Sequence, residues 1–204
     1  MEKYSSNDDY LDAKTGVMKN KLGFDNQADL EAFEGGLVAV RTSQLAEIPL
    51  ENRDKTFDLP HMQRIHKHLF GDIYEWAGDL RTIDISKGTT RFANWTFIER
   101  EAEKLSIQLA SENFLQGLDR KEFAERAGYY LGEWNVLHPF REGNGRTLRE
   151  FIGQLAYQAG YFINWTKTNQ EQMIRASIKA YHGQSELMGQ IILDNLQNSL
   201  SEIP

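Results

Sequence analysis

Cysteine is absent from the 204 residues. That excludes a disulfide framework and any zinc site built on thiolates, and it fits a reducing compartment. Positive charge is in deficit: 23 Lys and Arg stand against 30 Asp and Glu, for a formal net charge of -7. This balance argues against general nucleic-acid binding and against docking on an anionic membrane. No apolar run approaches membrane-spanning length. The first ten residues are polar and charged, so no secretory signal is expected. There is no internal repeat and no low-complexity tract. The length suits one domain with a substantial core.

The chemistry is concentrated in His138-Pro139-Phe140-Arg141-Glu142-Gly143-Asn144-Gly145-Arg146-Thr147-Leu148-Arg149. Helix-like apolar segments, Phe123 to Leu137 and Thr147 to Tyr161, flank this polar stretch and pin it between two core elements. Pro139 makes the chain leave the first helix at His138. Histidine is the side chain best matched to proton transfer near neutral pH. Gly143 and Gly145 permit positive φ and close backbone approach. With Asn144 between them, successive N–H groups can face one anion at a helix start. Arg146 and Arg149 share a helical face there, and their guanidinium forks suit phosphate oxygens. Glu142 would repel a polyphosphate unless a divalent cation lay between, and Mg²⁺ commonly takes one protein carboxylate plus phosphate oxygens.

The rest of the chain supplies scaffolding. Asp25 or Asn26 caps a helix expected to reach about Val40, weakened by Gly35-Gly36. Ile48 to Thr56 reads as a loop, and Ser5 to Asp9 as another. Leu59-Pro60 opens a helix with Met62, Ile65 and Leu69 on one face. His61, His66 and His68 on that helix are read as a solvated face rather than a metal site, since no carboxylate or cysteine completes a ligand set. Leu80 to Trp95 is the one strand-like stretch, with Ile83 and Ile85 alternating and Lys87-Gly88-Thr89-Thr90 supplying a turn. Helices are expected from Thr96, acting as cap, to Glu112, from the Asp119 cap onward, from Asn169, and over Ser185 to Leu196, with a frayed end beyond. Met173 is assigned to the core.

The string from His138 to Arg149 resembles the signature of Fic-domain proteins, His-x-Phe-x-(Asp/Glu)-Gly-Asn-Gly-Arg-x-x-Arg, at every defining position. Leu69-Phe70-Gly71-Asp72-Ile73-Tyr74-Glu75-Trp76-Ala77-Gly78, followed by Arg81, is similar to the family's segment ahead of its target-binding flap. The resemblance implies a mainly α fold, a helical bundle with a small β-hairpin flap. It places a Fic domain over residues 57–197, an N-terminal extension of helix and loop over 1–56, and a tail over 198–204.

The resemblance also implies transfer of AMP from ATP to a protein hydroxyl. His138 would be the base and Glu142 the Mg²⁺ ligand. The nucleotide would lie on Arg141, Gly143, Asn144, Gly145, Arg146 and Arg149, with Lys87, Arg91, Phe92 and Tyr181 around it. Asn144 would orient phosphates and Phe140 would anchor the loop. Ile85, Ser86, Lys87, Thr90 and Phe92 would form the flap that holds a target segment by strand addition. Two rivals stand beside this reading: transfer of a phosphate or another phosphate-linked group, and a catalytically inactive binding module. Gly145-Arg146 and the intact His138, Glu142 and Arg146 favour AMP transfer.

Fic enzymes are often restrained by a helix bearing (Ser/Thr)-x-x-x-Glu-(Gly/Asn), whose glutamate pairs with the second motif arginine, here Arg149. Leu30 precedes Glu34-Gly35, and each other Glu-Gly or Glu-Asn pair also fails at that position. A small separate antitoxin supplying such a helix is therefore expected, with this chain the toxin of the pair. Resemblance to compact bacterial Fic toxins implies a type II topoisomerase ATPase subunit as the target. The expected site is the cytoplasm, or a target cell if these residues are the front of a longer effector.

Overall fold

The computed structural model describes residues 8–47, 55–88 and 90–198. The expectations placed on Ser5 to Asn7, Ile48 to Asp54, Thr89 and the tail from residue 199 lie outside these residues. The described chain is mainly helical, and none of its helices is long and apolar enough to cross a membrane.

Helix α1 spans Gln27–Glu47. Asn26 is its cap, with its side-chain oxygen accepting from the N–H groups of Ala28 and Asp29. The helix continues through Gly35-Gly36 and past Val40, because Leu30, Val38 and Leu45 are buried in the core. Packing of one face outweighs the intrinsic cost of two glycines.

Helix α2 (Leu59–Phe70) starts at the Asp58 cap with Pro60 in its first turn. The solvated histidine face is corrected here: His61 and His66 are fully buried, alongside Met62, Ile65, Leu69 and Phe70. Burial pulls their imidazoles down to about 4 and about 3, so both are neutral in the folded protein. Each is bonded on both nitrogens, His61 to Phe57 N and Gln154, His66 to Gly78 N and the Glu142 carbonyl. They are core polar groups with satisfied partners.

A short hairpin follows, β1 (Ser86–Lys87) and β2 (Thr90–Arg91), antiparallel with Ser86 opposite Arg91 and Lys87 opposite Thr90. It occupies only the tip of the expected strand-like stretch. Asn94, not Thr96, caps the turn of 3-10 helix that leads into α3 (Ile98–Ser111). Helix α4 (Arg120–Leu137) begins with a capping box between Asp119 and Glu122 and buries Phe123, Ala127, Tyr130, Leu131 and Trp134. Helix α5 (Asn144–Gln158) starts earlier than the apolar pattern indicated, directly after Gly143. Helices α6 (Gln170–Tyr181) and α7 (Glu186–Asn195) complete the bundle.

The sequence pattern did not show a second ribbon. Strand β3 (Tyr161–Ile163) pairs antiparallel with β4 (Leu196–Asn198), so the segment expected to fray is a strand up to Asn198. Strands of three residues are too short to display alternation.

Helix α7 crosses α4 where two glycines meet. A Cβ on Gly128 would lie 2.3 Å from Gly189 N and 2.6 Å from its Cα, all backbone, so the helices must part to admit it. Gly128→Ala is expected to lose about 3 kcal/mol of stability. Gly35→Ala, where a Cβ meets nothing within 4 Å, should instead gain about 0.5 kcal/mol. Urea unfolding midpoints of the two variants give opposite signs if the crossing carries this load.

Candidate active site

Helix α4 ends by turning left-handed at His138, with φ 49 and ψ 63, while its N–H still bonds Trp134 O at 3.0 Å. A non-glycine residue seldom adopts this backbone, and it aims the imidazole off the helix axis into a cleft. His138 Nδ1 lies 3.0 Å from Asn135 O. A carbonyl only accepts, so Nδ1 carries the proton and Nε2 keeps its lone pair. The Phe92 ring lies flat on the imidazole, 3.7 Å between centroids at 12°. Burial pulls His138 down to about 4; Asn135 and Glu142 oppose the fall, Arg81 and Lys87 add to it.

The loop after His138 is fastened from three sides. The Asn144 carboxamide accepts from Phe140 N at 2.9 Å and donates to Phe140 O at 2.8 Å. Phe140 is fully buried and stacks on His66, 4.0 Å between centroids. His66 Nε2 donates to Glu142 O at 3.0 Å, while its Nδ1 accepts from Gly78 N at 2.8 Å. Gly143, at φ 79, lies so close to α2 that a Cβ would sit 2.5 Å from the Phe70 ring. Gly145 has no positive φ and exposes its α-carbon; the conformational demand falls on Gly143 alone.

No side chain caps α5. Its first-turn N–H groups and the positive end of its dipole are therefore presented to the cleft. Arg146 flanks this helix start, its guanidinium 4.7 Å above the Phe70 ring and hydrogen-bonded at 2.5 Å to Glu34. Arg149 lies one turn further, where burial, with the charge of Arg146, makes its protonated form less favourable. The cleft measures about 890 Å³. Lys87, Gly88, Thr90 and Phe92 line it on the hairpin side, the motif from Glu142 to Arg149 on its floor, and α6 with the turn before it on the far side.

The structure thus brings together His138, Glu142, Gly143, Asn144, Gly145, Arg146, Arg149, Lys87, Thr90, Phe92 and Tyr181. Met173 also lines the cleft while packing against the core. Three assignments are corrected. Arg141 points the other way: it is 3% exposed and forms a buried ion pair with Asp8. Arg91 bonds Asp84 at 2.8 Å on the outer side of the hairpin. The Asn144 side chain is occupied by Phe140 and acts by closing the loop. Ile85 and Ser86 lie off the cleft wall, and Ile85 O accepts from Phe92 N at 3.2 Å.

Some residues at the site were not legible in the motif. Glu34 is buried and takes hydrogen bonds from both Arg146 and Tyr74. It reaches the first motif arginine although Leu30 breaks the inhibitory pattern, and a separation of 112 residues leaves no local signal of the contact. Asn135 sets the His138 tautomer from one turn back in α4. Trp165, Thr168 and Asn169 close the far wall from the turn that precedes α6.

Residues 56–156 match the Fic/DOC family. The chain is 53% identical over 197 residues to protein adenylyltransferase VbhT of Bartonella schoenbuchensis, covering 96% of this chain and 41% of that protein. It is 38% identical over 170 residues to the "Probable protein adenylyltransferase Fic" of Escherichia coli, covering 83% and 82% of the two chains. Among solved structures, the N-terminal Fic domain of a VirB-translocated Bep effector protein from Bartonella quintana, with bound ADP, superposes with a TM-score of 0.89 at 31% identity, over 94% of this chain and 96% of that one. BepC of Bartonella tribocorum, with bound AMPPNP, gives 0.87 at 28% identity, over 93% and 96%. The chain spans less than half the length of VbhT and most of the Escherichia coli protein. By motif, fold and relatives, the chain belongs to the Fic/DOC family.

Proposed function

We propose that this chain transfers AMP from ATP to a hydroxyl side chain of a target protein. The observation that carries the reading is a proton acceptor and an anion site in one cleft: His138, with its lone pair on Nε2, lines the same cavity as the uncapped start of α5 and its two arginines. Relatives named adenylyltransferases, and Fic structures solved with ADP and AMPPNP, support it.

In this mechanism the triphosphate lies on the first-turn amides of α5, with Arg146 and Arg149 on its oxygens. The target hydroxyl oxygen attacks the α-phosphorus as His138 Nε2 takes its proton. The bond from the α-phosphorus to the bridging oxygen breaks, and pyrophosphate leaves. The amides and arginines are fixed before reaction, so they stabilise developing charge without reorganising. Lys87, Thr90 and Phe92 hold the target segment along the hairpin.

Glu142 fits a magnesium ion. Among the described residues it is the one carboxylate that lines the cleft, and Mg²⁺ completes such a site with phosphate oxygens and water. Bound there, the ion would neutralise phosphate charge.

The arginines support control in trans. Among the described residues no carboxylate pairs with Arg149, whereas Glu34 pairs with Arg146. We assign Arg149 to a small antitoxin that brings a Ser/Thr-x-x-x-Glu-Gly/Asn helix, and a type II topoisomerase ATPase subunit as the target class.

Incubation with bacterial lysate and ATP labelled on the α-phosphate should label protein, and label on the γ-phosphate should not. His138→Ala should reduce incorporation at least about a hundredfold with ATP binding retained. Label from the γ-phosphate would make the reaction phosphoryl transfer, and label from neither would leave a binding module.

Glu142→Ala is expected to shift the rate curve to higher Mg²⁺ concentration. A curve that keeps its wild-type midpoint removes Glu142 from the metal shell.

Expressed alone in bacteria, the chain should arrest growth, His138→Ala should not, and co-expression of a neighbouring small reading frame should restore growth. Growth unimpeded by a chain active in vitro would remove the toxin role.

A further inference from the structure

We propose that Arg81 is the positioning residue of this site, its buried guanidinium joining both roots of the β1–β2 hairpin to the backbone of His138. The side chain is almost fully enclosed, 1% exposed. Its Nε donates to His138 O at 2.8 Å and its Nη1 to Ile83 O at 2.6 Å. Its Nη2 donates to Ala93 O and, at 3.3 Å, to Leu137 O. Arg81 N donates to Pro139 O at 2.9 Å, and Ala93 N to Val136 O at 3.1 Å. The nearest carboxylate oxygen belongs to Asp84, 3.9 Å away.

A buried cation needs compensation, and carbonyl dipoles supply it here. The last carbonyls of α4 have no partner within the helix, and they form its negative end. Arg81 takes those of Leu137 and His138. Capping alone would not require Ile83 and Ala93, which enter and leave the hairpin. One planar fork therefore ties the segment that presents Phe92 to the residue on which Phe92 stacks. Burial lowers the guanidinium to about 10, against the pull of Asp84, so it stays charged at neutral pH. A lysine could supply the charge but not the divergent donors.

This geometry has an electrostatic consequence. The charged groups that act on the His138 ring are Arg81 from the segment before the hairpin, Lys87 from β1 and Glu142 from the loop, with the Asn135 carbonyl from α4 on Nδ1. Arg81 and Lys87 favour the neutral ring, Glu142 and Asn135 the protonated one. Arg81 thus orients the base and helps to keep it unprotonated.

The kinetic part of the test rests on the adenylyl-transfer reading. Arg81→Lys and Arg81→Gln are compared with wild type by thermal unfolding, ATP calorimetry, incorporation from α-labelled ATP into lysate protein, and NMR titration of the His138 ring, assigned with His138→Ala. Both variants should bind ATP within about twofold of wild type, and incorporation at saturating ATP should fall at least about tenfold. In Arg81→Gln the His138 midpoint should move up toward its ordinary value, while Arg81→Lys, which keeps the charge, should leave it in place. If Arg81→Gln does not fold, Arg81→Lys alone decides by its loss of transfer with ATP binding intact. Incorporation at the wild-type rate in a folded variant, or ATP binding lost in step with transfer, would make Arg81 a scaffold residue and overturn the proposal. Should wild type transfer no label, the adenylyl-transfer reading fails, and the NMR titration still tests Arg81.

Discussion

The site depends on the contact between α2 and the loop that joins α4 to α5. That loop pairs with no strand and, among the described residues, has one backbone bond from outside, Arg81 N to Pro139 O, so side chains set most of its shape. His66 does most of this. Its ring supports Phe140, its Nδ1 accepts from Gly78 at the start of the segment leading to the hairpin, and its Nε2 donates to the carbonyl of Glu142. This works only for one neutral tautomer, and burial enforces neutrality. Phe70 adds the closest approach, against a Gly143 that has no room for a Cβ. Lift the loop off α2 and the first turn of α5 re-aims, taking its amides and Arg146 with it. The proposed AMP transfer needs those amides held rigidly.

Legibility in the sequence followed separation along the chain. The site's backbone lies within a dozen consecutive residues, so the histidine at the helix exit and an anion nest at the next helix start were visible, while Phe140 as an anchor came from the family resemblance. The hairpin was visible for the same reason, although its true strands are two residues each. What could not be read were contacts between distant segments. Arg141 carries the same guanidinium as Arg146, and only the fold shows that Asp8 takes it from behind. His61 and His66 looked solvated because histidine is polar; nothing local revealed that Gln154, Gly78 and Glu142 would satisfy them. The β3–β4 ribbon joins the end of α5 to the segment after α7 and carries no period of its own.

The three motif arginines show how the fold turns similar residues to different ends. Arg141 is neutralised inside the protein by Asp8 and stabilises the loop from beneath; removing either partner would strand a buried charge. Arg146 is held by the face of Phe70 and by Glu34, which Tyr74 in turn bonds, so its fork is fixed but its charge is partly met. Arg149 has no carboxylate partner among the described residues, and burial raises the cost of its charge. A desolvated cation without a partner gains most from an incoming anion, because the local dielectric strengthens the new attraction while the cost of burial has already been met. The order of the three along the chain therefore grades them, from a structural ion pair through a braced contact to a cation open to an anionic group. The same property leaves Arg149 open to a carboxylate as much as to a phosphate. Where a nucleotide and an acidic side chain compete for one arginine, the second excludes the first, so in the proposed reaction the same arginine would serve both substrate and inhibitory partner.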